Sequence, residues 1–161
     1  MWFSDKRVFL PGVRNNPNIQ FQIKDFPGTK ELRENQDQLA LKQCGSLIYV
    51  IDAQEQDKDM CCNKLFEIIR VAHKVNPAIT FEVFIHKVDS DMFQQDEQKF
   101  DTLNEIAQNM RGLLSEHGFG SGHGNKEVAI DYNLTSIYDL TIYQALSRVI
   151  QKMLPQTQFI V

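Results

Sequence analysis

The chain has 161 residues, 42% of them hydrophobic and 24% charged, a composition that predicts one globular domain over residues 1–161 and excludes a disordered tail. Its net charge of −4 excludes a broad surface for phosphate backbones, so we expect no nucleic-acid partner. Three cysteines without C-x-x-C spacing indicate a reducing compartment rather than a metal or disulfide framework.

The first ten residues predict neither a signal peptide nor a membrane span. Asp5, Lys6 and Arg7 interrupt their short apolar stretch, whereas both kinds of segment need a longer uncharged run. We therefore expect a cytoplasmic protein without direct membrane insertion.

From residue 19 onward the chain alternates between strand-like and helix-like patterns. Alternating apolar and polar residues predict a strand at 19–23, with 8–10 as a candidate antiparallel neighbour. The continuous apolar run at 47–51 is typical of a strand buried on both faces of a parallel sheet. Further strands are predicted at 81–85 and 128–134, and helices at 31–42, 58–74, from 100 to near Gly118, and at 142–153. This alternation predicts a three-layer α/β/α sandwich with helices on both faces of the sheet.

Polar loops at 25–29, 86–89 and 134–139 follow three of the predicted strands, at the sheet edge where open α/β sheets bind ligands. In the second loop, the aliphatic stem of Lys87 can lie along a purine face, and Asp89 can accept two N–H donors from one base edge. Guanine offers that pair of donors and adenine does not. Each motif alone is a weak signal, because short motifs of this kind arise often by chance.

Taken in order, the three loops resemble the third, fourth and fifth signature regions of small GTPases. The residues themselves resemble the Rag family of GTPases, of the C/D type, and are similar to the second yeast Gtr protein. The resemblance covers essentially the whole chain, and it implies a small-GTPase G domain with the P-loop NTPase-like fold. It rests on the Asp25-Phe26-Pro27-Gly28 turn, Tyr49-Val50-Ile51-Asp52-Ala53, residues 81–89 with histidine at 86, and Thr135-Ser136-Ile137-Tyr138-Asp139.

The resemblance implies a role for each residue of the guanine site. Asp89 would pair with the ring N–H and the exocyclic amine of guanine, and Lys87 would cover the base. Backbone amides near Ser136 and Ile137 would meet the guanine carbonyl oxygen. His86 would be a structural hydrogen-bonding residue rather than a catalytic base. An alternative for this loop is an ordinary solvated turn.

The resemblance also implies GTP or GDP with Mg²⁺ as ligands. Asp25 would reach the magnesium ion through water, as an ancestral metal site, and the amide of Gly28 would sense the terminal phosphate. Asp25 can equally be a turn former, because Asp, Pro and Gly all favour turns.

Three departures from the family pattern limit the expected activity. No G-x-x-x-x-G-K-[ST] loop is present, and the stretch before Asp25 is shorter than the roughly 30 residues needed for the missing elements, so we expect an N-terminally incomplete G domain. By resemblance the absent first strand would lie mid-sheet, so we expect low unfolding cooperativity. Thr29 stands at the glutamine position that orients water in related GTPases, so no catalytic residue is assigned. The family's C-terminal dimerisation domain is also expected to be absent.

The resemblance and the departures from it leave two candidate functions. The first is a subunit of a heterodimeric GTPase that signals amino-acid sufficiency to the TOR kinase complex. By resemblance, its partners would be a Rag A/B-type GTPase, TOR-complex proteins and scaffold proteins that recruit it to the lysosomal or vacuolar membrane surface. The alternative is a non-catalytic remnant of a GTPase that acts as a protein interaction module.

Overall fold

The computed structural model describes residues 22–26, 35–89, 93–119 and 128–154, and the chain divides into two compact units, residues 1–32 and 33–161. In the first unit, Ile23 forms an isolated β-bridge within an exposed stretch that ends at Phe26. Most of the strand predicted at 19–23, and all of its candidate neighbour at 8–10, lie outside the described residues.

The described part of the second unit contains four helices and three strands. Their order along the chain is α1 (Asn35–Lys42), β1 (Ser46–Asp52), α2 (Lys58–Val75), β2 (Thr80–His86), α3 (Asp96–Glu116), β3 (Ile130–Thr135) and α4 (Thr141–Met153). Each strand and helix predicted beyond residue 35 is therefore present. The largest difference is at α3, which begins four residues before the first apolar marker, Phe100. The side chain of Gln98 accepts the N–H of Gln95 there, which satisfies a backbone donor at the helix start.

The three strands form a parallel sheet in the order β1-β2-β3. Its register pairs Asp52 with His86 and His86 with Thr135, so the carboxyl ends of all three strands lie side by side. Parallel strands need a crossover connection, which α2 and α3 provide. This arrangement confirms the predicted α/β fold.

Helices cover both faces of the sheet. On one face, Phe84 of β2 forms a buried cluster with Ala145 and Val149 of α4. Successive strand residues point to opposite faces, so Val83 belongs to the other face, which it shares by register with Tyr49 and Tyr132. On that face, burial raises the pKa of Tyr132 to about 12, with a further contribution from Cys62 of α2. The layers are therefore helix, sheet and helix.

An ion cluster around one buried carboxylate joins α4 to the sheet. Glu82, in the middle strand, is 1% exposed and accepts a 2.7 Å hydrogen bond from Lys152 of α4. Lys152 also bonds Asp131 at 2.6 Å, and Asn133 donates to the second oxygen of Glu82 at 3.2 Å. A buried carboxylate is stable only when it is paired and hydrogen-bonded in this way.

Strand β1 departs from the expectation of a strand buried on both faces. Ile48 and Val50 are 37% and 58% exposed, whereas Ile51 on the opposite face is buried. Among the described residues β1 pairs only with β2, and α4 packs over β2 and β3. The face of β1 that carries Ile48 and Val50 is therefore less covered than its apolar sequence predicts.

Candidate functional site

The parallel register brings the turns after β1 and β2 together at one edge of the sheet. The backbone N–H of Ala53 donates to the carbonyl oxygen of His86 at 2.8 Å, one residue beyond the end of β1. The two turns are therefore held together by the same kind of backbone hydrogen bond that holds the strands. Any ligand that binds at this edge meets both turns.

A side-chain hydrogen bond joins the last residue of β2 to the last residue of β3. His86 Nδ1 lies 3.0 Å from Thr135 Oγ1, and Thr135 is fully buried. The two residues are direct neighbours in the β2–β3 register, so the bond is a consequence of strand pairing. His86 was predicted to be a structural hydrogen-bonding residue, and its partner is the last residue of β3.

Lys87 follows His86 with a left-handed backbone, at φ 66°, and is the one non-glycine residue with positive φ in the described parts of the chain. Such backbone is uncommon for a residue with a Cβ atom. The Lys87 ammonium donates to Asp52 Oδ2 at 2.5 Å, across the gap between the ends of β1 and β2. The predicted base-covering lysine is thus held by a carboxylate of the neighbouring strand.

Asp52 is a site residue that sequence reasoning missed as such. The hydrogen bond from Lys87 holds the pKa of the Asp52 carboxyl below its usual range, and a hydrogen bond from the backbone of Gln54 acts in the same direction. The same pair raises the pKa of the Lys87 ammonium. The available signal was position, because Asp52 is the first charged residue after the apolar run at 47–51.

Val88 separates the two predicted base-reading side chains. It is 5% exposed and anchors the turn in the core, while Lys87 and Asp89 on either side of it are exposed. The Asp89 carboxylate therefore stands in solvent at the sheet edge, where a ligand with paired N–H donors can reach it.

In the third loop, the amides expected to meet the guanine carbonyl oxygen differ in their surroundings. The Ser136 N–H already donates to Thr141 Oγ1 at 2.9 Å, and Ser136 Oγ accepts the N–H of Tyr138 at 3.0 Å. The Thr141 N–H and hydroxyl both donate to Asp139 Oδ1, and these bonds hold the pKa of Asp139 below its usual range. Ser136 is buried and Ile137 is exposed, so a ligand at this edge meets Ile137 first.

Of the predicted metal and phosphate positions, Asp25 lies among the described residues and Gly28 does not. Asp25 is exposed and belongs to the first unit, and Gly28 and Thr29 lie outside the described residues. Within the described residues, no group of three or more His, Cys, Asp or Glu side chains is arranged to hold a metal ion. None of the described helices has the length and apolar character needed to cross a membrane.

Comparisons with known proteins identify the family of the chain. Residues 7–161 match the family model described as "Gtr1/RagA G protein conserved region". The chain is 36% identical over 155 residues to the Ras-related GTP-binding protein C of Mus musculus, covering 95% of this chain and 36% of the relative. It is 39% identical over 140 residues to the GTP-binding protein gtr2 of Schizosaccharomyces pombe, covering 86% of this chain and 41% of the relative. The chain therefore spans well under half the length of these curated relatives.

Proposed function

The chain belongs to the Gtr1/RagA family of G proteins, within which it resembles the C/D type, and from this premise we propose that it binds guanine nucleotides. The proposed ligands are GDP and GTP. Asp89 accepts the two N–H donors of the guanine edge, and Lys87 lies along the base. The amide of Ile137 meets the guanine carbonyl oxygen, since the amide of Ser136 is bonded to Thr141.

The observation that supports this proposal most is the hydrogen bond between His86 and Thr135. It joins the residue before Lys87 to the residue before Ser136, so that the groups proposed to meet the N–H donors and the carbonyl oxygen of one base follow strand ends that are bonded to each other. Such preorganisation lowers the cost of ordering the loops when a ligand binds. The names of the curated relatives, which describe GTP-binding proteins, point to the same ligand.

The finer part of the proposal concerns signalling. We propose that the chain is part of a heterodimeric GTPase subunit that pairs with a Rag A/B-type GTPase and reports amino-acid sufficiency to the TOR kinase complex. Scaffold proteins at the lysosomal or vacuolar surface would recruit it from the cytoplasm. Family membership supports these assignments, and they concern the whole protein to which such a domain belongs.

Binding and hydrolysis are separate in this proposal. With Thr29 at the position of the water-orienting glutamine, the chain is proposed to hydrolyse GTP slowly or not at all by itself. Mg²⁺ would accompany the nucleotide phosphates, with Asp25 as a water-mediated ligand. No step of recognition at the base depends on that ion.

A second candidate function is a non-catalytic interaction module. The observation that favours it is a group of exposed apolar side chains around the start of α4. These side chains are Ile137, Tyr138, Leu140 and Tyr143, and all are more than half exposed. Exposed apolar groups that lie together on a soluble domain commonly mark a contact with another macromolecule.

Calorimetric titration of the chain with GDP and Mg²⁺ tests the proposal. We expect saturable binding, and we expect Asp89→Asn to weaken GDP binding by at least about tenfold, because a charged acceptor of two hydrogen bonds is lost. The same variant should gain affinity for xanthosine diphosphate, whose carbonyl group faces the new amide. Asp96→Asn, which alters an exposed carboxylate on α3, is the matched control. If the unaltered chain gives no heat with GDP, the interaction-module function is favoured instead.

A further inference from the structure

Lys87 combines an unusual backbone conformation with a side chain held by an ion pair. Its backbone is left-handed, a conformation that costs free energy for any residue with a Cβ atom, and its long side chain ends in a 2.5 Å contact with Asp52. A lysine on an exposed turn ordinarily samples many rotamers, and ordering it is entropically unfavourable. The contact with Asp52 offsets part of that cost before any ligand is present.

Asp52 is itself oriented by the fold. It is the last residue of β1, in register with His86, and its Oδ1 atom accepts the N–H of Gln54 at 3.0 Å. Its Oδ2 atom is therefore presented towards the turn after β2, where Lys87 lies. The two partners are 35 residues apart in sequence, so the contact depends on the pairing of β1 with β2.

We infer that Asp52 is a positioning residue of the guanine site, which holds the ammonium of Lys87 so that the lysine stem is ordered before the base arrives. This inference rests on the proposed function. Asp52 does not touch the base in this role and acts through Lys87.

A second consequence concerns Asp89. Lys87 and Asp89 flank the buried Val88 and carry opposite charges, so a local ion pair between them would compete with the guanine N–H donors for the Asp89 carboxylate. Because the Lys87 ammonium is engaged by Asp52, the Asp89 carboxylate is left to the base. Asp52 thus holds Lys87 in place, and by the same contact it keeps the Lys87 ammonium away from the Asp89 carboxylate.

The solvent exposure of Lys87 and Asp52 limits how much their ion pair can contribute to GDP affinity. The side chains of Lys87 and Asp52 are 58% and 38% exposed, and ion pairs in such surroundings are screened by water. We therefore expect Asp52→Asn to weaken binding of fluorescent GDP, in the presence of Mg²⁺, by about threefold to fivefold. Most of this change should appear as faster dissociation.

The experiment compares five forms of the chain with the unaltered one: Asp52→Asn, Asp52→Glu, Lys87→Met, the double variant Asp52→Asn with Lys87→Met, and the control Asp96→Asn. Asp96→Asn removes an exposed Asp–Lys pair of 3.0 Å on α3, which has no part in the site. We expect Asp52→Glu to retain most of the affinity, since a carboxylate remains in reach. Asp52→Asn should have no further effect in the Lys87→Met background, because the two residues act as one unit. The forms that lose the Asp52–Lys87 pair should show only a small decrease in the thermal unfolding midpoint, because an exposed ion pair contributes little stability, and Asp96→Asn should show a similarly small change.

Two results overturn the inference while leaving the proposed function intact. One is a GDP affinity in Asp52→Asn that equals that of the unaltered chain. The other is a loss of affinity on replacing Asp52 that is as large in the Lys87→Met background as in the presence of Lys87. If the unaltered chain itself fails to bind GDP, the proposed function is overturned, and this inference falls with it.

Discussion

At the scale of single residues, the sheet edge is organised by side chains that reach across from one strand end to the next. Asp52 holds Lys87, and His86 is bonded to Thr135. His86 and Thr135 are register partners, and Lys87 follows the register partner of Asp52 by one residue. The Asp52–Lys87 pair is exposed, whereas the Thr135 partner of His86 is buried.

The titration of Asp52 provides the first prediction. Its pKa lies lower in the folded chain than in the unfolded chain because Lys87 hydrogen-bonds to the carboxylate. The contact therefore contributes stability above the ordinary aspartate pKa, and this contribution is lost as the pH falls through the lowered value. We expect carbon-detected NMR to show a depressed Asp52 pKa that returns towards the ordinary value in Lys87→Met. An Asp52 pKa that is the same in both proteins would contradict the ion pair.

Thr135→Val provides the second prediction. The replacement keeps the shape of the fully buried side chain but removes the hydroxyl that bonds His86, which leaves Nδ1 of the half-buried His86 without this partner. We expect the free energy of unfolding to fall by about 1 to 2 kcal/mol, measured by urea denaturation.

Thr80→Val is the control for that experiment. Thr80 also donates a side-chain hydrogen bond, to the carbonyl of Gly45 at 3.2 Å, but it is exposed. Water can replace the lost bond there, so a change within about 0.5 kcal/mol is expected. Equal losses in the free energy of unfolding of the two variants would show that the hydrogen bond to His86 contributes no more to stability than an exposed one.

At the scale of elements, α4 is joined to the sheet by both apolar and ionic contacts. Its buried residues Ala145 and Val149 pack on Phe84, and its last turn supplies Lys152 to the buried Glu82. Burial by itself lowers the pKa of the Lys152 ammonium, but the hydrogen bonds to Asp131 and Glu82 outweigh it, and the net effect is a raised pKa. Because α4 follows directly on the third loop, its anchoring also fixes where Ile137 lies.

Lys152→Met tests this anchoring. The replacement leaves the Glu82 carboxylate buried with Asn133 as its remaining side-chain partner among the described contacts. We expect a loss of about 3 kcal/mol in the free energy of unfolding, near the lower end of the range for breaking a buried pair, because Lys152 itself is 41% exposed on its side chain.

The matched control is Arg70→Met, which removes the exposed pair with Glu67 on α2. A change below about 0.5 kcal/mol is expected there. If Lys152→Met costs no more than this control, the Glu82 cluster does not stabilise the packing of α4 on the sheet.

At the scale of the whole molecule, β1 is the outer strand of the described sheet. It pairs with β2 alone among the described residues, and its uncovered face carries Ile48 and Val50. An apolar strand at a sheet edge is a template for pairing with another chain. Self-association through β1 is therefore expected at high protein concentration.

Val50→Lys tests this expectation, because a charge on an edge strand opposes pairing with another chain. We expect the variant to remain monomeric in sedimentation velocity runs at concentrations where the unaltered chain associates, with little change in thermal stability, since Val50 is 58% exposed. Met60→Lys adds the same charge at an exposed apolar position on α2 and should not reduce association. A chain that is monomeric without any substitution would remove the basis of this prediction.

Local patterns were sufficient to predict the elements of the second unit. β1 contains the continuous apolar run at 47–51, β3 alternates apolar and polar residues, and each helix carries apolar residues at helical spacing, so their positions follow from short stretches of chain. The predicted guanine loop at 86–89 also follows from local sequence, because the strand before it determines which sheet edge it occupies.

Sequence alone thus determined the alternation of strands and helices, the family, and the identity of the loops at the sheet edge. Only the tertiary structure decided that Lys87 is held by Asp52, that His86 is bonded to Thr135, and that Val50 is exposed. These partners are 35 and 49 residues apart, and their contact depends on strand register. The exposure of Val50 likewise depends on what packs over β1. A local sequence pattern determines whether a segment favours a helix or a strand. Which strands pair, in which register, and which helices pack over them depend on the assembled sheet.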